Sequence, residues 1–278
     1  MLAQSSRLRE LILEKTKVSG DLKFLQNASE LRVLRLSDAQ VSGDLQALEN
    51  AQELAVLDLA KTEVDGDIRA LQHVRKMKHL SLAETKVGGD LKALQSSHAM
   101  MYLNLTKTAV AGDIQALRDA KTMEKLCLSD TRVTGDLTVL QNMSQLVVLD
   151  LSERQVSGDI KALQDARMMR RLSLSETKVA GDLKVLQNMR ELEILDLDRT
   201  EVGGNIEALK DASKIQVLGL SETKVTGDLK ALENSAELSN LHLSKTKVGG
   251  HLQALKQATK LHNLNLVGTS IEGALSQA

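Results

Sequence analysis

The sequence predicts an α/β solenoid, a linear stack in which each unit runs strand, turn, short helical turn. Three observations predict it. A glycine recurs at Gly20, Gly43, Gly66, Gly89, Gly112, Gly135, Gly158, Gly181, Gly204, Gly227, Gly250 and Gly273, always 23 residues apart and with no insertion. A fixed period of this size marks a stacked-repeat fold. Two leucine columns never vary: Leu11, Leu34 and Leu57 through Leu264, and Leu13, Leu36 and Leu59 through Leu266. The residue two before each glycine is Val from Val18 to Val248 and Ile at Ile271.

Each repeat opens on LxxLxL, as in Leu146-Val-Val-Leu-Asp-Leu151. The alternation predicts a short strand with its leucines inward. About twelve parallel strands spaced about 4.8 Å apart extend roughly 55 Å along the array. A threonine column then turns the chain. It is Thr in ten copies, among them Thr16, Thr62 and Thr85, with Ala39 and Arg154 as exceptions. Its hydroxyl is expected to bond a neighbouring backbone amide. The layers are then held mainly by the Val and Leu columns.

The Gly-Asp pair starts the helical turn. Glycine permits the bend, and Asp is a good N-cap, worth about 1 kcal/mol. On that reading Asn205 keeps the cap, while His251 and Ala274 weaken it. Apolar residues follow at helical spacing, for example Leu45, Leu48 and Ala51. A small column (Ala28, Ala51, Ala120, Ala166, Ala212, Ala258) lets the turn pack closely, with Met143 and Met189 filling it in two copies.

These columns together resemble the leucine-rich repeat family over the whole chain, since LxxLxLxx followed by a fixed polar residue is that family's hallmark. The VxGDL portion is similar to the plant-type class, and Thr with Gly-Asp in these places is also similar to arrays of some unicellular algae. Two departures stand out. The family's usual Asn is Thr here, and the plant-type proline is missing because the chain has no Pro. The resemblance implies a right-handed superhelix with a concave parallel sheet and short helical turns on the convex side. We expect one domain over residues 1–278, twelve repeats long, with no capping module.

The ends repeat the pattern. Met1, Leu2 and Ser5 hold the columns of Ala47, Leu48 and Ala51, and only Phe24 departs in the first repeat. The last repeat degrades at Ser270, Glu272 and Ala274. Terminal repeats usually present a polar outer face, so the sequence reads as a piece of a longer array or one with poor caps. End-to-end self-association is the alternative.

Composition narrows the function. Lys and Arg total 36 against 37 Asp and Glu, which argues against nucleic acid or an acidic membrane as the dominant partner. One cysteine, Cys127, permits no internal disulfide and points to a reducing, intracellular compartment. No segment approaches transmembrane length. No catalytic set emerges: Cys127, His79 and Asp150 lie on separate strands and make no compact triad. We expect no enzyme, no cofactor and no metal. His242 and His262 lack a convincing third ligand.

The positions beside the inward leucines vary freely. Through the family resemblance, they mark the partner-binding face. The candidate residues are Tyr102, Asn104, Lys125, Val148, Asp150, Arg171, Ile194, Asp196, Asn240 and His242. Aromatic and arginine side chains near apolar ones are how interface hot spots are usually built. The sequence therefore predicts a non-catalytic scaffold that presents a sheet to a protein partner. The alternatives are a self-assembling array and the ligand-sensing segment of a larger receptor.

Overall fold

A computed structural model describes residues 6–153 and 155–274. Met1, Leu2, Ser5, Arg154, Leu275 and Ala278, which figure in the sequence pattern, lie outside the described residues. The chain divides into two compact units, Met1–Val139 and Leu140–Ala278.

In the first unit the LxxLxL segments form a parallel sheet of Glu10–Ile12, Val33–Arg35, Val56–Asp58, His79–Ser81, Tyr102–Asn104 and Lys125–Cys127. Each strand pairs with the next at an offset of one repeat, so Leu11 faces Leu34 and Leu34 faces Leu57. The inward leucines are fully buried: Leu34, Leu57, Leu80, Leu103 and Leu126 are all 0% exposed. Burying one such side chain stabilises by roughly 1.5–3 kcal/mol. Identical slots repeat along the stack, so one residue type fills all of them. The second unit repeats the arrangement with Val148–Asp150, Arg171–Ser173, Ile194–Asp196, Val217–Gly219, Asn240–His242 and Asn263–Asn265.

The VxGD segments form additional parallel strands that the pattern did not announce. In the first unit they include Ser19–Asp21, Gln40–Asp44 and Glu63–Asp65. In the second they include Lys178–Asp182, Glu201–Asn205 and Lys224–Asp228. The Val of these strands is buried in the core (Val64, Val179, Val202), except in Ser19–Asp21, which has none. The sequence obscures these strands because glycine breaks the alternation and is itself a poor strand former.

Glycine does more here than bend the chain. Gly89 has φ +99°, and a Cβ on it would lie 2.7 Å from Cγ of Asp67, the cap residue of the preceding repeat. Gly43, Gly66, Gly112, Gly204 and Gly250 likewise lie over the previous repeat's cap, while Gly20 meets nothing among the described residues. The caps themselves are as expected. Asp90 Oδ1 accepts from Lys92 N at 2.8 Å, and Asn205 Oδ1 accepts from Glu207 N at 2.9 Å. His251 keeps a longer cap, its Nδ1 accepting from Gln253 N at 3.2 Å. The turns that follow are 3₁₀, mostly four residues long, such as Ile68–Leu71 and Leu229–Leu232.

The threonine column bonds a neighbouring backbone amide in some copies, as expected, but the hydroxyl's shorter bond is to a carbonyl. It donates to the carbonyl three residues back in its own repeat, as Thr62 does to Leu59 O and Thr85 to Leu82 O, each at 2.6 Å. In some copies it also accepts from the amide two residues on, as Thr131 does from Val133 N at 3.3 Å. Thr has one hydroxyl and the local carbonyl captures it. Backbone amides span the layers instead. The residue before each Thr adopts a left-handed conformation, φ 56° at Lys61 and 58° at Glu176. That conformation directs its amide to the next repeat: Lys61 N donates to Ala83 O at 2.8 Å, and Glu176 N to Asp198 O at 2.9 Å. The conformation is costly for a residue with a Cβ, and the ladder bond offsets that cost.

Candidate functional site

In both units the strand residues between inward leucines face solvent on a base that packing holds rigid. The candidate residues divide between them. Tyr102, Asn104 and Lys125 lie on neighbouring strands of the first unit. Val148, Asp150, Arg171, Ile194, Asp196, Asn240 and His242 lie on the first three strands and the fifth strand of the second unit's sheet in the same outward columns. Lys125 and Arg171 are exposed, and the others are partly covered.

In the first unit the register sets His79 beside Tyr102 and Tyr102 beside Lys125. The rings of His79 and Tyr102 stack at 4.1 Å between centroids with planes 5° apart. Lys125 Nζ stands 6.0 Å above the Tyr102 ring centre, at the outer limit of a cation–π contact. Burial pushes the His79 imidazole below its ordinary range; Asp58 opposes this, while Arg35 and Lys125 reinforce it. Burial pushes the Tyr102 phenol up, and the Asn104 side chain opposes it. Val33 and Val56 continue the column away from the rings. The result is a partly apolar surface centred on the stacked rings and bordered by Arg35, Asp58 and Lys125. His79 completes the aromatic pair that Tyr102 alone suggested. Its place one repeat before Tyr102 in the same column was the signal available in the sequence.

The second unit has the opposite character. Asp196 ends one strand and Asp198 lies two residues beyond it, and His242 lies two strands away. Gly219 intervenes with no side chain, and a Cβ there would lie 2.8 Å from Asp196 Oδ1. Asp198 Oδ1 accepts from Ser221 N at 2.5 Å, and its Oδ2 lies 3.9 Å from His242 Nδ1. Burial raises the Asp198 pKa and Asp196 adds to the rise, while the Ser221 amide and His242 oppose it. Asp198 went unnoticed because its column is otherwise mostly Ser, Ala or Thr; a carboxylate within that small-residue run, where Glu14 is the other acid of the column, was the signal.

Cys127 lies half-buried on the strand next to Asn104. His79 is two strands off, with Tyr102 between them. Among the described residues no group of three or more His, Cys, Asp or Glu is placed to hold a metal ion. No helix among them is long and apolar enough to cross a membrane.

The stacked parallel strands, their invariant leucines and the 23-residue period define a leucine-rich repeat solenoid. No family model matches the sequence, and no curated protein does. Solved structures match the fold. The Arabidopsis receptor kinase HAESA in complex with the peptide hormone IDA and the co-receptor SERK1 superposes with a TM-score of 0.81 at 23% identity, over 96% of this chain and 46% of that one. The plant peptide hormone receptor RGFR1 in complex with RGF2 gives 0.79 at 19% identity, over 97% and 49%. An internalin from Listeria monocytogenes gives 0.67 at 21% identity, over 96% and 83%. This chain thus spans about half the length, or less, of those plant receptor structures.

Proposed function

We propose that the chain is a non-catalytic binding scaffold whose outward strand columns hold a protein partner. Tyr102, Asn104 and Lys125 would make the contact in the first unit. Val148, Asp150, Arg171, Ile194, Asp196, Asn240 and His242 would make it in the second. The observation that carries this reading is the contrast between columns: the inward ones are invariant leucine, while the outward ones hold a stacked aromatic pair, valines and mixed charge. Packing does not dictate the outward residues. The rigid base also lowers the ordering cost that binding must overcome.

The similar receptor structures contain bound peptide hormones, which supports a peptide or protein as the partner class. We read the in-phase array over residues 1–278 as one functional domain. The ligand-sensing segment of a larger receptor is a finer version of the same reading. Our expectation of an intracellular location rests on the single cysteine alone. It gains no support from the fold, since one similar structure is the ectodomain of a plant membrane receptor kinase.

The test is affinity capture from a lysate of the source organism. The baits are the wild-type chain and the Tyr102→Ala/Asp150→Lys/Arg171→Glu variant, both checked for folding by circular dichroism. A partner retained by the first and lost by the second supports the proposal. A partner held equally by both moves the site off this face, and a bait that recovers only itself favours self-association.

A further inference from the structure

A second candidate site lies away from the first sheet, between neighbouring 3₁₀ turns of the first unit. From Ile68 to Ala83 the sequence carries no acid, and its bases include Arg69, Arg75, Lys76 and Lys78. The fold places Arg69, His73, Arg75 and Lys92 around one groove of about 580 Å³. Lys76 is paired with Glu53 at 2.7 Å. Arg69, Arg75 and Lys92 make no ion pair among the described residues.

Two carboxylates, Asp67 and Asp90, also line the groove, but both are engaged. Asp67 Oδ1 accepts from Arg69 N at 2.7 Å and Asp90 Oδ1 from Lys92 N at 2.8 Å. Asp67 is further held against the backbone of Gly89. Both carboxylates keep their negative charge, so Arg69, Arg75 and Lys92 leave the groove with a net excess of one fixed positive charge, and the two guanidinium groups, which no carboxylate pairs among the described residues, keep their donors open to a ligand.

The equivalent groove in the second unit shows that this is not a property of the repeat. There Lys184 and Lys210 face Asp182, Glu207 and Asp211, and Lys210 pairs with Glu207 at 3.2 Å. In the groove that follows in the first unit, Arg118 is 3.4 Å from Asp119. Lys184 there, and Lys230 and Lys256 in a further groove, also make no ion pair among the described residues, so what sets the Arg69 groove apart from these is its two unpaired arginines; it is too short to track a polymer.

We propose that this groove binds a small molecule bearing two or more phosphate groups. Arginine presents a planar fork of donors that matches phosphate oxygens two at a time. Two arginines and a lysine around one cleft suit a compact, multiply charged oxyanion. Gln72, Gln95 and Ser96 add neutral polar groups to the lining.

The probe is inorganic pyrophosphate, titrated by calorimetry and by amide NMR at an ionic strength of about 0.15 M. The proposal expects saturable shifts centred on residues 68–75 and 91–96. Arg69→Gln/Arg75→Gln should weaken binding by about tenfold or more, while Lys184→Gln/Lys210→Gln should leave it unchanged. Circular dichroism checks both variants for folding. Equal weakening in both, or full affinity in the arginine variant, would overturn the assignment. So would capture by phosphoinositide-containing phosphatidylcholine vesicles with no saturable response to pyrophosphate, which would move the ligand to a membrane surface.

Discussion

The two units are built on the same kind of core and carry different faces. In the first, the outward columns hold a stacked His79–Tyr102 pair beside valines and Lys125. In the second, the same positions hold Asp150, Arg171, Asp196 and His242, with a partly buried Asp198 behind Gly219. The inward leucines do not differ between them. The comparison teaches that in this array the repeat separates two jobs by column: fixed columns set the fold, and free columns set local chemistry. A surface that packing leaves unspecified is free to diversify, and a slot that each neighbour re-creates is not.

The largest effect should be the one shared by both units. Leu103→Ala and Leu195→Ala each empty a fully buried slot and should cost about 2–5 kcal/mol, read from urea unfolding followed by circular dichroism. Similar losses at the two sites would sharpen the comparison, and a loss in only one would break it.

Next comes the contact between repeats. Gly89→Ala combines a positive φ with a Cβ driven into Asp67, and should cost about 1–3 kcal/mol. Its neighbour Gly88 has room for a methyl, 3.5 Å from the Ala109 Cβ, so Gly88→Ala should be nearly neutral. Equal costs for the two glycines would refute the stacking of glycine on cap.

The smallest effect separates the faces by pH. Burial disfavours protonated His79 in the folded chain, so as pH falls the unfolded chain takes up this proton first. The contribution of His79 to stability is whole above about pH 6.5 and is lost as pH falls from there toward the folded value. An NMR titration should place its midpoint below that of a free imidazole, and Tyr102→Ala should move it back up. Asp198 has the opposite sign. Its raised pKa means that its burial cost is absent in acid and appears as pH rises through the folded value. Asp198→Asn should therefore stabilise the second unit at neutral pH and not below about pH 4. Urea midpoints at the two pH values test this, and a gain of the same size at both would contradict the assignment.

The fold was legible because its signal is repeated: Leu34, Val41, Gly43 and Asp44 recur in phase, and period alone assigns them strand, core, bend and cap. The VxGD strands were not, because Gly43 and Gly89 look like turn residues and only the neighbouring repeat makes them strands. The direction of the Thr62 hydroxyl was hidden too, since a carbonyl in its own repeat outcompetes the more distant amide. For the face, the columns located Tyr102 and Asp196, but the pairing with His79 and the gap at Gly219 depend on which residues adjoin across strands. The groove at Arg69 and Arg75 was missed because balanced net charge conceals a local excess.

The central claim is that the variable outward columns bind the partner and the rest of the repeat supports them. It is tested most directly by titrating the captured partner, by calorimetry, against three folded proteins: the wild type, the Tyr102→Ala/Asp150→Lys/Arg171→Glu variant, and a Lys184→Gln/Lys210→Gln variant altered only at the turns. The account predicts about tenfold or greater loss of affinity for the face variant, as expected when hot-spot side chains are removed, and no change for the turn variant. Equal affinity for all three, or loss confined to the turn variant, would contradict it.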